Sequence, residues 1–220
     1  MSFFRERKRG AGLTTDRIEA FSDGVFSIAI TLLILGVAVP ELTPYQLANG
    51  ELLSHLIALW PKLLSYLISF VLIGLFWYGH HIMFHFIKRS DRNLVLLNLL
   101  FLMLIAFFPF PAALLGEYGT DTVASVTYGL TLVVMGLAFS GMWKYASYKN
   151  RLVEPNLPPR IVHVASWVVL TAPLLYLVAV GLAFINPRLS LWFYLVVPVL
   201  YLIPSPIDEL VDYHSAERET

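Results

Sequence analysis

Long apolar runs broken by short polar connections dominate the chain. Six runs approach the roughly 20 residues needed to cross a hydrocarbon core about 30 Å thick. They fall at about 18–39, 61–85, 93–115, 121–145, 161–185 and 188–204. The fourth is the least apolar, and the sixth is short and rich in proline. Apolar and polar residues do not alternate within the runs, which argues against a membrane β-barrel. The predicted fold is an all-α membrane protein with six transmembrane helices. The chain divides into a basic arm (1–14), a membrane domain (15–204) and a tail (205–220).

Punctuation along the chain agrees with these spans. Thr15 or Asp16 is placed to cap the first helix, with Glu19 three residues after Asp16. Residues 40–60 read as an external loop of polar and turn residues, closed by Pro61 at a helix start. The connections at 116–120 and 185–188 are short, so the helices they join are antiparallel neighbours. Residues 150–159 are the clearest linker. Pro109, Pro111, Pro173 and Pro198 lie inside spans and read as packing kinks, because neighbouring groups can satisfy the freed carbonyls.

Composition supports the membrane assignment. Apolar residues make up 58% of the 220 positions and charged residues 14%, with mean hydropathy +0.72. Soluble domains carry about 25% charged residues. Six spans leave no room for a soluble catalytic domain. Net charge is zero, but thirteen of the fifteen basic residues fall on one side of the predicted membrane; Lys62 and Arg188 are the exceptions. The positive-inside rule then puts both termini in the cytoplasm, in a multi-pass cell-membrane protein. An even number of spans agrees. The basic start is not read as a signal peptide, because the following run contains Asp23 and lacks a small-residue cleavage site. There is no cysteine, hence no disulfide framework.

The first span carries the most informative residues. Asp23 lies near its cytoplasmic end, where a charge needs a partner. It can lock helix packing, by pairing with an arginine or accepting hydrogen bonds, or it can meet ions directly. At about 100° per residue, Ile28, Thr31, Leu32 and Leu35 share one arc with Gly24 a turn below, and Asp23 points about 140° away. Taken alone, such a stripe suits lipid or packing contact. His80, His81 and His85 form H-H-x-x-x-H; His81 and His85 have a metal pair's spacing, but no third ligand other than His163 or an acid suggests itself. They read as packing or pH-sensitive groups. Asn98 reads as an interhelical hydrogen-bonding residue. Trp60, Trp143, Trp167 and Trp192 read as interface anchors, and Glu117 and Asp121 as loop charges. No G-x-S-x-G, H-E-x-x-H or phosphate-binding glycine loop points to an enzyme.

The segment R-I-E-A-F-S-D, with Arg17, Phe21, Ser22 and Asp23, resembles the R-x-x-x-F-S-D motif of the transmembrane protein 175 family of potassium channels. G-V-F-S-I-A-I-T-L-L-I-L follows it, and W-Y-G-H-H-I-M-F-H-F and L-L-N-L-L-F-L-M-L-I-A-F-F-P-F resemble the family's second and third spans. The resemblance covers residues 15–116; beyond them it rests on span count and length. It implies a homotetramer in which the first helix of each subunit lines a pore without a selectivity-filter loop. It implies a hydrophobic gate at Ile28, continued by Leu32 and Leu35, and a selectivity-linked hydroxyl at Thr31. Arg17, Phe21, Ser22 and Asp23 would hold that helix through partners on spans two and three, with Trp77, His81 and Asn98 as candidates. The expected ligand is the permeant potassium ion, with membrane lipid as surroundings and no cofactor, metal, nucleic acid or other small-molecule substrate. The rival functions are a secondary transporter or proton-coupled carrier using Asp23 and the histidines, and an accessory membrane protein.

Overall fold

A computed structural model describes residues 15–201. The predicted basic arm, the end of the sixth run and the whole predicted tail lie outside them. Almost all the described chain is helical. The first span is α1 (Asp16–Leu32), extended by a 3₁₀ turn over Leu33–Gly36. Two short helices follow, α2 (Pro44–Ala48) and α3 (Leu52–Ala58), then α4 (Trp60–Phe86). The third apolar run is split into α5 (Arg92–Phe107) and α6 (Pro109–Tyr118). The chain continues through α7 (Thr122–Ser147), α8 (Pro159–Ile185) and α9 (Pro187–Tyr201). Five of these segments, counting α5 and α6 together, are long and apolar enough to cross a membrane. The sixth apolar run is the shorter α9, which reaches the limit of the described residues.

Local chemistry explains the boundaries. Asp91 starts α5 by accepting from the Leu94 amide at 2.8 Å. Asp121 starts α7 by accepting from the Val123 and Ala124 amides. These bonds satisfy amides that a helix leaves without intrahelical partners. The break at Phe108 precedes Pro109, whose ring blocks a continuous helix; the Phe108 amide turns back to the Ile105 carbonyl at 3.2 Å. Pro61 lies in the first turn of α4.

Two expectations about caps and loops need correction. Thr15 precedes α1 but makes no side-chain capping bond. Residues 40–60 are not plain loop: Thr43 and Gln46 form a reciprocal capping box that opens α2, the pattern that satisfies two amides at once.

α7 is the central helix. Of its most apolar window 56% is buried inside the chain, against 22% for α1. It packs against α5, α6, α8 and α9. Its glycines bring neighbours in: a Cβ at Gly136 would meet Pro173 Cδ at 2.9 Å, and one at Gly129 would meet Val180 Cγ2 at 2.6 Å. Trp143, read from sequence as an interface anchor, is instead buried in this centre and donates from Nε1 to Ser166 Oγ at 3.1 Å. Trp60, Trp167 and Trp192 are exposed near helix ends.

The 150–159 linker is pinned rather than loose. Val153 forms an antiparallel bridge with Ile87. The Lys88 and Arg89 amides donate to the Leu152 carbonyl, and Arg89 Nη2 donates to Asn150 O at 3.0 Å. Tyr145 donates to Asp91 Oδ2 at 2.7 Å. At the opposite end Lys62 and Glu117 form an ion pair at 2.6 Å.

Candidate functional site

α1 has two faces of different fate. Ser22, Phe26 and Ala29 are buried against α4 and α5, and Leu33 in the 3₁₀ turn against α4 and α6. The other half of the helix, with Phe21, Asp23, Gly24, Ser27, Ile28, Thr31, Leu32 and Leu35, is exposed. Ile28 is 60% and Leu35 72% exposed, so the stretch from Ile28 to Leu35 is largely open. It also differs from the exposed face of α5, where Leu96, Leu99, Leu100, Met103 and Phe107 are uniformly apolar. On α1 the apolar residues are interleaved with hydroxyls one turn apart. Ser27 donates to Asp23 O at 2.8 Å, and Thr31 lies 3.0 Å from Ser27 O and 2.9 Å from Ile28 O. A hydroxyl has one hydrogen and two lone pairs. With the hydrogen directed to the helix backbone, each oxygen keeps acceptor capacity for the open side.

Behind this face a buried polar node ties α1 to α4 and α5. His80 Nε2 lies 3.0 Å from Asn98 Oδ1, and Asn98 Nδ2 donates to Ser22 Oγ at 3.0 Å. Ser22 Oγ donates in turn to Ile18 O at 2.7 Å. The chain of donors runs one way. An amide oxygen only accepts, so His80 carries its hydrogen on Nε2; the Ser22 hydrogen is committed to Ile18, so its oxygen accepts. Turning the amide over would set its oxygen against the Ser22 oxygen, whose hydrogen is already committed to Ile18. Ser22, His80 and Asn98 are each at most 2% exposed. The His80 ring stacks on Phe84 at 4.5 Å and Phe101 at 6.2 Å, with Phe26 edge-on at 5.7 Å.

A second tie lies nearer the surface. Trp77 Nε1 donates to Asp23 Oδ1 at 2.8 Å, and the Trp77 ring stacks on His81 at 6.2 Å. Asp23 is therefore held by an indole from α4; neither Arg17 nor any other described cation forms an ion pair with it.

The sequence-predicted residues thus separate into groups. Ser22 with Asn98, and Asp23 with Trp77, are brought together. Arg17 and Phe21 are exposed. His81, a candidate partner for the first span, stacks on Trp77, and it is the neighbouring His80 that joins Asn98 in the node. The signal was present in the spacing, since Ile73, Phe76, His80, Met83 and Phe84 follow the inward stripe of α4. His80 points inward while His81 and His85 are exposed, so the H-H-x-x-x-H segment does not converge. His163 accepts from Trp167 Nε1 at 3.0 Å. No group of three metal-ligating side chains occurs among the described residues. Glu117 and Asp121 are engaged in the Lys62 pair and the α7 cap.

The family model described as endosomal/lysosomal potassium channel TMEM175 matches residues 17–109, beginning at the motif arginine. A potassium channel of Streptomyces collinus is 40% identical over 179 residues, spanning 80% of this chain and 85% of that protein. The chain belongs to the TMEM175 family. A Chamaesiphon minutus potassium channel is 38% identical over 194 residues, spanning 87% of this chain and 95% of the relative. The crystal structure of a lysosomal potassium-selective channel TMEM175 homologue from that organism superposes with a TM-score of 0.76, covering 86% of this chain and 96% of that one. The human endosomal/lysosomal proton channel TMEM175 is 32% identical over 154 residues, but the match spans only 31% of its length. This TMEM175-family chain is a multi-pass membrane protein with the helical channel fold.

Proposed function

We propose that this TMEM175-family chain is one subunit of a potassium-permeable cation channel, and that the exposed face of α1 lines its pore. The observation that carries this reading is the division of α1: half is fixed to its own bundle through the Ser22–Asn98–His80 node, and half, with Ile28, Thr31, Leu32 and Leu35, is left open. The names of the Streptomyces and Chamaesiphon relatives supply the ion.

Four chains around one axis bring four Ile28 side chains together, with Leu32 and Leu35 continuing the constriction. A narrow ring of this kind excludes water, and ions with it. Tilting or rotating α1 outward wets it. Thr31 and Ser27 present oxygens that partly replace lost hydration, which suits a cation. Without a filter loop, selectivity is modest. Trp77, Asn98 and His80 set the angle of α1. The bias of basic residues places both termini in the cytoplasm.

The test is flux through purified protein in liposomes under a potassium gradient. Ile28→Asn is expected to raise conductance, since a polar ring stays wet. Unchanged or lower flux in a correctly assembled variant overturns the gate assignment. Dependence of flux on a coupling ion would instead identify a carrier.

A further inference from the structure

On the side of α4 away from Trp77 lies an apolar groove of about 390 Å³. Its walls are Phe76, Gly79 and Met83 of α4, Gly136 and Phe139 of α7, and Ala172 of α8. Leu200 and Tyr201 of α9 close one edge, where Tyr201 donates to Val168 O at 3.1 Å. Gly79 and Gly136 let Phe139 and Pro173 pack closely at its floor. Tyr78, Thr171 and Leu200 line it and are exposed, so the groove opens sideways. An opening in the side of a membrane helix bundle faces hydrocarbon. Water does not fill a space lined this way, and an apolar cavity of about 150 Å³ already holds a benzene. This groove has the size of an ordinary ligand pocket.

One end of the groove has a distinct charge. Phe86 and Trp143 line it there, their rings 6.4 Å apart. Lys88 lies two residues beyond Phe86, and Lys144 follows Trp143. Arg160 lies five residues before the lining Ala165, about 7.5 Å along α8. Segments 87–92 and 144–160 hold seven basic residues against Asp91 and Glu154. Arg89 and Arg151 are engaged with the linker carbonyls and the Tyr145 ring, and Asp91 with Tyr145. Lys88, Lys144 and Arg160 are exposed and form no ion pair among the described residues. Basic residues beside a pocket between membrane helices match the headgroup of an anionic lipid.

We propose that this groove is a binding site for an anionic phospholipid. One acyl chain lies between α4, α7 and α8, and the phosphate headgroup meets Lys88, Lys144 and Arg160. The site is separate from the α1 face, and lipid binding is read without any ion flux, so its failure and that of the channel reading are distinguishable.

The test is native mass spectrometry of the full chain in mild detergent, titrated with dioleoyl phosphatidylglycerol or dioleoyl phosphatidylcholine. The wild type is expected to retain the anionic lipid in preference to the zwitterionic one. Each cation near headgroups contributes about fivefold, so Lys144→Gln with Arg160→Gln reduces the preference roughly thirtyfold. Ala172→Phe fills the groove and is expected to remove the retained lipid. Equal retention by wild type and Ala172→Phe means a nonspecific lipid shell and overturns the proposal. A benzophenone amino acid at the exposed Thr171 gives a second readout that does not require core substitution. Crosslinking to phosphatidylglycerol supports the site; crosslinking to residues 202–220 of the same chain shows that the tail fills it and overturns the proposal.

Discussion

Replacing Asn98 with alanine strikes the node that fixes α1. The substitution removes two interhelical bonds, to His80 and to Ser22, each 3.0 Å long. Ser22 keeps its bond to Ile18 and loses only an incoming donor. His80 fares worse: its Nε2 hydrogen is left among Phe26, Phe84 and Phe101 in a site 2% exposed. An orphaned buried donor costs about 1–3 kcal/mol. The lost interhelical bond to Ser22 adds about 0.6 kcal/mol, the average for membrane proteins. The expected loss is therefore roughly 1.6–3.6 kcal/mol, concentrated on His80. The sharp consequence is a coupling. Once His80 is phenylalanine, no donor remains to be orphaned, and Asn98→Ala is expected to cost about 1–2 kcal/mol less than in the wild type. Unfolding equilibria of the four proteins in one bicelle system measure this cycle. A cost for Asn98→Ala below about 0.5 kcal/mol, or a coupling indistinguishable from zero, would refute the reasoning.

Other substitutions probe neighbouring claims. Trp77→Phe keeps an aromatic ring beside His81 but removes the donor to Asp23; a loss of about 1 kcal/mol in the same unfolding assay is expected, and no loss would show that the bond is idle. Gly116→Val places a branched side chain where a Cβ already meets Lys62 Cα at 3.1 Å. Backbone cannot step aside as a flexible side chain can, so the thermal transition falls by the equivalent of about 1–3 kcal/mol. Gly129→Ala meets Val180 and Tyr194 on the central helix and is expected to cost at least as much. Glu117→Gln breaks the Lys62 pair, but both side chains are partly exposed and the stability change stays within about 1 kcal/mol.

The membrane architecture was legible because lipid admits few ways to write a spanning segment. Continuous apolar runs and their prolines were enough to locate the long helices, and Pro109 marked the place where α5 gives way to α6. Finer features depended on which way a residue faces. Trp143 near a span end reads like an anchor, yet its side of α7 faces α8. His80 and His81 are adjacent and chemically identical; only their registration with Phe76 and Phe84 separates core from surface. Thr43 and Gln46 carried the spacing of a capping box, masked by the polar look of residues 40–60. The bond between Trp77 and Asp23 joins residues 54 apart and required the packed helices to be seen. The open face of α1 was recognisable as an arc on a helical wheel, but its lack of partners is a property of the folded bundle.

Because the chain contains no cysteine, single cysteines can be introduced without background. The most direct test of the central claim places them at Ser27, Thr31 and Leu35 on the open face, at Ala29 on the buried face, and at Leu100 on α5. Potassium flux is then followed while a charged, water-soluble thiol reagent is added. The account predicts that Ser27→Cys and Thr31→Cys channels are modified and blocked while Ala29→Cys and Leu100→Cys channels are unaffected. Inert cysteines along α1, with block at Leu100, would contradict it.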